Sequence, residues 1–154
     1  MLFPHSKEDF GSALNYVPGI SNAFLNPEVY VLLPYGEQEG FSSSLEMYQV
    51  ISPLKDDVKF FSLPKKRFLQ KLRGYNFDIC VDLDLNFNFF NAYVCLKTGA
   101  LLRVGVKTER STPFYNLQIA LPKRAVYRDD VYFSMLETLK NLKTCEDNSC
   151  TFPS

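Results

Sequence analysis

Three groups of polar residues follow predicted strands and could do chemistry together. They are His5-Ser6-Lys7-Glu8-Asp9, the set Asp82, Asp84 and Asn86, and the segment Lys107-Thr108-Glu109-Arg110. The carboxyl ends of parallel strands meet at one edge of a sheet, so we expect these groups to line one cleft. A carboxylate in such a cleft can act as a general base, and lysine or arginine can hold phosphate or carboxylate groups of a ligand.

A plainer interpretation of the same residues stays open. Asp9 and Asp84 could be helix caps, and the basic side chains could form a solvated surface. The chain has a single histidine, which limits acid–base chemistry largely to carboxylates. It contains no GxGxxG, GxxxxGK[ST], GxSxG or HExxH motif, and the first turn lacks the glycines that a phosphate cradle needs. We therefore expect no dinucleotide site, no cofactor and no zinc.

Residues 76–106 form the centre of the predicted fold. An apolar run at 77–83 predicts a buried strand, an apolar-rich stretch at 87–96 predicts a helix ended by Gly99, and 101–106 predicts a second strand. Strand, helix and strand within about thirty residues make a βαβ unit. The acidic residues Asp82 and Asp84 then lie at the carboxyl end of its first strand.

The remaining segments alternate between strand and helix. Predicted strands lie at residues 1–4, 29–33 and 58–63, and residues 117–121 are a short strand or an extended connection. Predicted helices lie at 10–25, where Pro18-Gly19 should kink or split the helix, at 64–74 and at 128–143. A weaker helical stripe of Met47, Val50 and Ile51 follows a loop at 35–40, with residues 42–44 as capping candidates.

This alternation predicts an α/β fold, a Rossmann-like three-layer sandwich with a largely parallel sheet of about five to six strands. Residues 1–143 are expected to form one domain, and residues 144–154 a loose tail. Cys80 and Cys95 fall in apolar elements and should be core residues. Cys145 and Cys150 could close a small loop, but a disulfide is not expected in the cytosol.

Composition limits the classes of partner. Lys+Arg and Asp+Glu both total 17 in 154 residues, so no overall basic excess favours nucleic acid or an anionic membrane. No apolar run approaches the roughly 18–20 residues that span a bilayer, and the first residues do not form a signal peptide. We therefore expect a cytoplasmic chain with no transmembrane segment.

Two segments of the sequence resemble the ADP-heptose:lipopolysaccharide heptosyltransferases, glycosyltransferase family 9. Residues 71–83 are similar to the family's strand that ends in Asp-Leu, and residues 98–106 are similar to its Gly-Ala strand. Arg110 lies near a family arginine, before the aromatic pair Phe114-Tyr115. The resemblance covers roughly residues 1–143.

The resemblance implies a fold and a function. Family members are two-domain bacterial enzymes of the GT-B fold, whose N-terminal Rossmann-like half binds the acceptor sugar and whose C-terminal half binds the nucleotide-sugar donor. The family's first turn carries a Gly-Asp pair whose Asp is the catalytic base, and Asp9 is its nearest counterpart here. The acceptor-binding residues would be drawn from the cleft and the second strand: His5, Lys7, Asp84, Asn86, Arg103 and Arg110.

Two kinds of function follow from this resemblance. The chain could be the acceptor half of an enzyme of lipopolysaccharide or cell-surface glycan synthesis, peripheral at the inner membrane, with a sugar-phosphate or glycolipid acceptor. Its donor domain is expected to be absent, so a separate donor-domain chain or a homodimer would complete it. Alternatively, it is a non-catalytic Rossmann-like binding or interaction module, since its first turn departs from the family pattern.

Overall fold

A computed structural model describes residues 1–35, 45–60, 62–121 and 127–147. The chain has an α/β architecture in which strands and helices alternate. The helices are α1 (Lys7–Asn22), α2 (Lys66–Arg73), α3 (Phe89–Thr98) and α4 (Arg128–Asp147). The strands are β1 (Tyr30–Leu32), β2 (Gln49–Ile51), β3 (Ile79–Val81), β4 (Leu102–Val106) and β5 (Leu117–Ile119), and a 3-10 helix (Lys55–Asp57) follows β2.

The strands form two small parallel sheets among the described residues. One contains β1 and β2, and the other contains β3, β4 and β5 in that order. The expected single sheet of five to six strands is thus divided, and residues 1–3 lie between its parts. Leu2 makes parallel bridges to Leu32 and to Asp82. Its amide donates to Val81 O at 2.8 Å, and the amide of Phe3 donates to Leu32 O at 2.9 Å.

Two hydrophobic cores form because successive residues of a strand point to opposite faces. Phe3 and Val81 belong to the core that contains α1 and α4, whereas their neighbours Leu2 and Cys80 belong to the core that contains α2 and α3. Cys80 and Cys95 are both buried there as free thiols, and their sulfur atoms lie 3.1 Å apart. The prediction that both are core residues is confirmed.

Several predicted elements are confirmed with small shifts of their ends. Helix α2 lies within the predicted range 64–74 and buries Phe68, Leu69 and Leu72. Helix α3 is followed by Gly99, whose φ of 83° is a left-handed conformation that glycine adopts without steric penalty. Helix α4 begins at Arg128 as predicted but continues through Asp147, past the predicted start of the loose tail at residue 144.

Two predictions are wrong, and a third is wrong in part. Helix α1 is continuous through Pro18, so it is not split there, because the proline removes only one backbone hydrogen bond. The stripe at 47–51 is not helical: Val50 and Ile51 belong to β2, where pairing with β1 overrides the helical spacing. The described residues of the predicted strand at 58–63 do not form a strand; an isolated antiparallel bridge joins Val58 to Pro64.

Some predictions cannot be compared with the structure. The predicted loop at 36–40, the capping candidates at 42–44, Phe61 and Cys150 lie outside the described residues.

A close contact between a strand and an aromatic ring shapes the centre of the second core. Tyr115 is buried and packs against Gly105 of β4. A Cβ atom at position 105 would lie 2.6 Å from Cε2 of Tyr115, closer than two such carbons can approach. Glycine is therefore required at this point of the strand if Tyr115 keeps its place.

Two Gly→Ala substitutions should act in opposite directions. We expect Gly105→Ala to lower the free energy of unfolding by about 1–3 kcal/mol, because the added methyl group displaces the ring of Tyr115. Gly11→Ala places its methyl group in open space on α1, so we expect a gain of up to about 1 kcal/mol from helix propensity. Urea unfolding of both variants measures the two changes, and equal losses would contradict this account of position 105.

Candidate functional site

The candidate site lies at the carboxyl edge of the strands, between residues 1–3 and β3. The chain leaves residue 3 toward α1 on one face of the sheet, and it leaves β3 toward α3 on the other face. A crevice opens where neighbouring parallel strands diverge in this way, and open α/β sheets bind ligands there. His5 and Asp84 follow these two segments and meet across the crevice.

Asp82 is the buried polar centre beneath this crevice. Its side chain is 1% exposed and accepts three hydrogen bonds. Oδ1 accepts from Nδ2 of Asn91 and from the amide of Asp84, both at 3.0 Å. Oδ2 accepts from the hydroxyl of Tyr115 at 2.5 Å. The carboxylate thus connects β3 to α3 and to the segment after β4.

Burial determines the proton affinity of this group. It raises the pKa of Asp82 to about 7, against the three hydrogen bonds that favour the charged form. Burial and the nearby Asp82 carboxylate also raise the pKa of Tyr115 well above its usual value. Tyr115 therefore stays a hydroxyl donor, and Asp82 is the member of the pair that titrates near neutral pH.

His5 and Asn88 form the polar wall of the crevice, and the buried Asp84 contacts His5. Asn88 caps α3: its Oδ1 accepts from the amide of Asn91 at 3.2 Å, which turns Nδ2 outward. That Nδ2 lies 2.9 Å from Nδ1 of His5, and Oδ2 of Asp84 lies 3.4 Å from the same nitrogen. A neutral Nδ1 accepts from Asn88, and a protonated one pairs with Asp84, so His5 can offer either role to a ligand.

A cavity of about 380 Å³ adjoins this polar wall. Its lining combines polar groups with aromatic rings: His5, Tyr35, Val58, Ser62, Asn88, Phe89 and Phe90. Phe89 is half exposed, and its ring lies in contact distance of two others, with centroids 5.6 Å from Phe114 and 5.8 Å from Tyr93. The site therefore offers flat apolar faces next to hydrogen-bonding groups.

The structure brings some of the predicted site residues together and leaves others apart. His5 and Asp84 are in contact, and the amide of Asn86 donates to Oδ1 of Asp84 at 3.2 Å. Lys7 is exposed in the first turn of α1, and Arg110 is exposed in the turn after β4. Both lie at the carboxyl edge, without a described contact to His5 or Asp84.

Arg103 lies away from the crevice. It is the second residue of β4, so it belongs to the amino half of that strand. Its guanidinium donates to two backbone carbonyls, from Nε to Phe114 O at 2.9 Å and from Nη1 to Ala100 O at 3.0 Å. These bonds hold the Phe114 segment against the strand, which is a structural role.

Asp9 is buried in an ion pair instead of capping a helix. The cap of α1 is Ser6, whose hydroxyl accepts from the amide of Asp9, and the cap of α3 is Asn88, so the capping interpretation of Asp9 and Asp84 is wrong. The carboxylate of Asp9 pairs with Nε of Arg128, and Nη2 of Arg128 lies 2.6 Å from Glu8. The role of Asp9 as a catalytic base stays a prediction.

The sequence patterns did not predict several residues of the site. Asn91 and Tyr115 hold Asp82, and Tyr132 of α4 donates from its hydroxyl to Leu83 O at 2.8 Å. Asn91 does leave a trace in the sequence, because it is a polar residue on the buried face of an apolar helix. Tyr115 and Tyr132 look like ordinary core aromatics until their hydroxyl partners are seen.

A larger cavity of about 540 Å³ lies at the opposite edge, where the strands begin. It is bordered by three mutually packed rings, with Tyr30 4.8 Å from Tyr75 and 5.3 Å from Phe77 between centroids. The amino edge of a parallel sheet is not where such folds carry their ligand groups, so size alone does not make it the functional site.

Comparisons of the chain with protein-family models, with curated proteins and with solved structures found no match. Within the described ranges no group of three or more His, Cys, Asp or Glu side chains is arranged to hold a metal ion. The helices of the described chain include none that is both long and apolar enough to cross a membrane. The site must therefore be interpreted from its own geometry.

The titration of Asp82 should be visible in the stability of the fold. The folded-state pKa of about 7 exceeds the unfolded value of about 3.9, so the folded chain keeps a proton that the unfolded chain releases. This contribution is complete below about pH 4 and is lost as pH rises to about 7, with a slope of at most about 1.4 kcal/mol per pH unit.

The substitution Asp82→Asn removes this titration and keeps a neutral side chain of the same shape. We therefore expect the variant to have a flatter dependence of unfolding free energy on pH in the same window. Urea unfolding of both proteins between about pH 4 and about pH 7 gives the difference in their unfolding free energies. The titration of all other groups cancels in this difference. Parallel curves for the two proteins would show that Asp82 does not hold the proton.

Proposed function

We propose that this chain is a heptosyltransferase-like acceptor-binding domain that binds a sugar in the crevice between residues 1–3 and β3. The observation that carries the proposal is the pairing of a polar wall with an aromatic-lined cavity at this edge. The resemblance of residues 71–83 and 98–106 to glycosyltransferase family 9 supports the same ligand class. Synthesis of lipopolysaccharide or another cell-surface glycan is the context that this resemblance suggests.

The polar wall suits the hydroxyl groups of a sugar. Each hydroxyl both donates and accepts a hydrogen bond, so a sugar site needs acceptors and donors close together. Asn88 supplies an outward amide donor, His5 supplies either role, and the buried carboxylate of Asp84 orients His5. The cap of α3 fixes the orientation of Asn88, and the backbone amide of Asn86 fixes that of Asp84. These side chains therefore lose little conformational freedom when a sugar binds.

The aromatic wall suits the other side of a sugar. A pyranose ring presents a face of C–H groups that packs on an aromatic ring, while its hydroxyls point outward. Phe89 is half exposed beside the cavity and is held by its contacts with Phe114 and Tyr93. A ring fixed in this way gives apolar contact area without ordering a flexible side chain.

The proposal includes a Rossmann-like three-layer arrangement. The spatial order β2, β1, residues 1–3, β3, β4 and β5 supports it, as does the placement of two helices against each face. This order puts the first and fourth segments of the chain side by side, and their divergence creates the crevice.

A non-catalytic binding module is the second candidate. The ion pair of Asp9 with Arg128 favours this candidate. Asp9 is the counterpart of the family's catalytic base, and here it is buried and paired with a guanidinium. Both candidates bind a ligand in the same crevice, and they differ in whether a bound acceptor hydroxyl is activated.

Calorimetric titration with phosphorylated monosaccharides and disaccharides tests the proposal directly. We expect binding, weakened about tenfold or more by Asp84→Asn, because this change removes the charged partner that orients His5, and a hydrogen bond to a charged group contributes about 1.5–3 kcal/mol. Asn88→Ser should also weaken binding, since serine keeps the helix cap but removes the amide donor.

Two matched variants serve as controls for these titrations. Asp129→Asn removes an exposed carboxylate from the first turn of α4, and Asn116→Ser removes an amide that donates to Leu101 O near the amino end of β4. Both should bind like the unaltered chain. Sugar binding that survives Asp84→Asn and Asn88→Ser but is lost in a control would place the site elsewhere and refute the proposal.

A further inference from the structure

Basic and apolar side chains are concentrated on one surface of a chain whose overall charge is zero. Residues 54–73 carry seven lysines and arginines and two aspartates. Their described part comprises the 3-10 helix, the turn around Phe60 and α2, and we call it the basic surface. The balanced total of charges conceals this local excess.

Helix α2 supplies the cationic side of this surface. Its apolar residues are buried against the sheet, so Lys66, Arg67 and Lys71 lie on the solvent side and are exposed. Asp57 accepts from the amide of Leu54 at 3.1 Å and lies 3.5 Å from Nη2 of Arg67, so it offsets that arginine. The exposed lysines around this pair set the charge of the surface.

The turn around Phe60 supplies an apolar tip. The side chain of Phe60 is 95% exposed. Backbone bonds hold the turn on both sides of it: the amide of Lys59 donates to Leu63 O at 2.7 Å, and the amide of Lys65 donates to Asp57 O at 2.7 Å. Leu54 is also exposed, by 58%, at the start of the 3-10 helix. The fold thus presents large apolar side chains to water beside lysines.

We propose that the basic surface binds an anionic lipid bilayer, with Phe60 entering the interface and the lysines contacting lipid headgroups. Apolar side chains flanked by lysine are the combination that a charged interface binds, because each part finds its own environment there. An acidic protein or a nucleic acid would match the lysines but gives Phe60 no apolar phase to enter. The proposal does not depend on sugar binding.

The position of the turn adds a consequence for the candidate site. Val58 and Ser62 flank the tip and also line the 380 Å³ cavity. A chain bound through Phe60 therefore holds its cavity close to the lipid surface. Ligands in the headgroup region would then reach the crevice without crossing bulk water.

Flotation of the full chain with vesicles tests the proposal. We expect binding to vesicles that contain phosphatidylglycerol in phosphatidylcholine, weaker binding as salt rises, and little binding to phosphatidylcholine alone. Lys66→Ala/Lys71→Ala should weaken binding about twenty-five-fold, at about fivefold for each lysine. Phe60→Ala should weaken it about tenfold, and Phe60→Leu should retain much of the affinity.

The controls are drawn from α3 and α4. Phe133→Ala removes another exposed phenylalanine, on α4, and Lys97→Ala/Lys140→Ala removes two lysines outside the basic surface. Thermal unfolding shows that each variant is folded. Unchanged binding in these controls, with losses in the Lys66/Lys71 and Phe60 variants, supports the proposal. Absence of binding at low salt, equal losses in the controls, or binding of RNA without binding of vesicles overturns it.

Discussion

The carboxylate of Asp82 is the buried group around which the carboxyl edge of this fold is assembled. It lies where β3 ends, and it receives hydrogen bonds from Asn91 of α3, from Tyr115 and from the amide of Asp84. A buried carboxylate without such donors would be strongly destabilising, so these three partners must be in place together. The position of Asp84, and with it the polar wall of the crevice, follows from satisfying Asp82.

The opposite face of the sheet is fixed by a second set of polar contacts. Arg128 at the start of α4 pairs with Asp9 and Glu8 of α1, and Tyr132 donates to the backbone beyond β3. Removing Arg128, whose side chain is half exposed, would leave the buried carboxylate of Asp9 without its cation. The crevice thus lies between these two sets of polar contacts. His5, Asn88 and the aromatic wall are the groups there that a ligand can contact.

Local sequence patterns predicted the elements that local forces determine. Pro64 and Gly74 mark the limits of α2, and Gly99 ends α3, because caps and backbone conformations act within a few residues. Strand β2 was missed because the spacing of Val50 and Ile51 fits helix and strand alike, and only pairing with β1 decides. In the site, His5 and Asp84 followed from the geometry of parallel strands. Arg103 lies in the amino half of β4, away from His5 and Asp84, and the role of Tyr115 depends on a partner 33 residues away.

The contact between Gly105 and Tyr115 couples sequence changes in the sheet to sequence changes in the site. Any side chain at position 105 would push the ring of Tyr115 away and remove a donor from Asp82. Related sequences could change position 105 only together with position 115. A smaller residue at position 115 would remove the hydroxyl that donates to Asp82. Positions 82, 105 and 115 should therefore covary among related sequences, although they are distant along the chain.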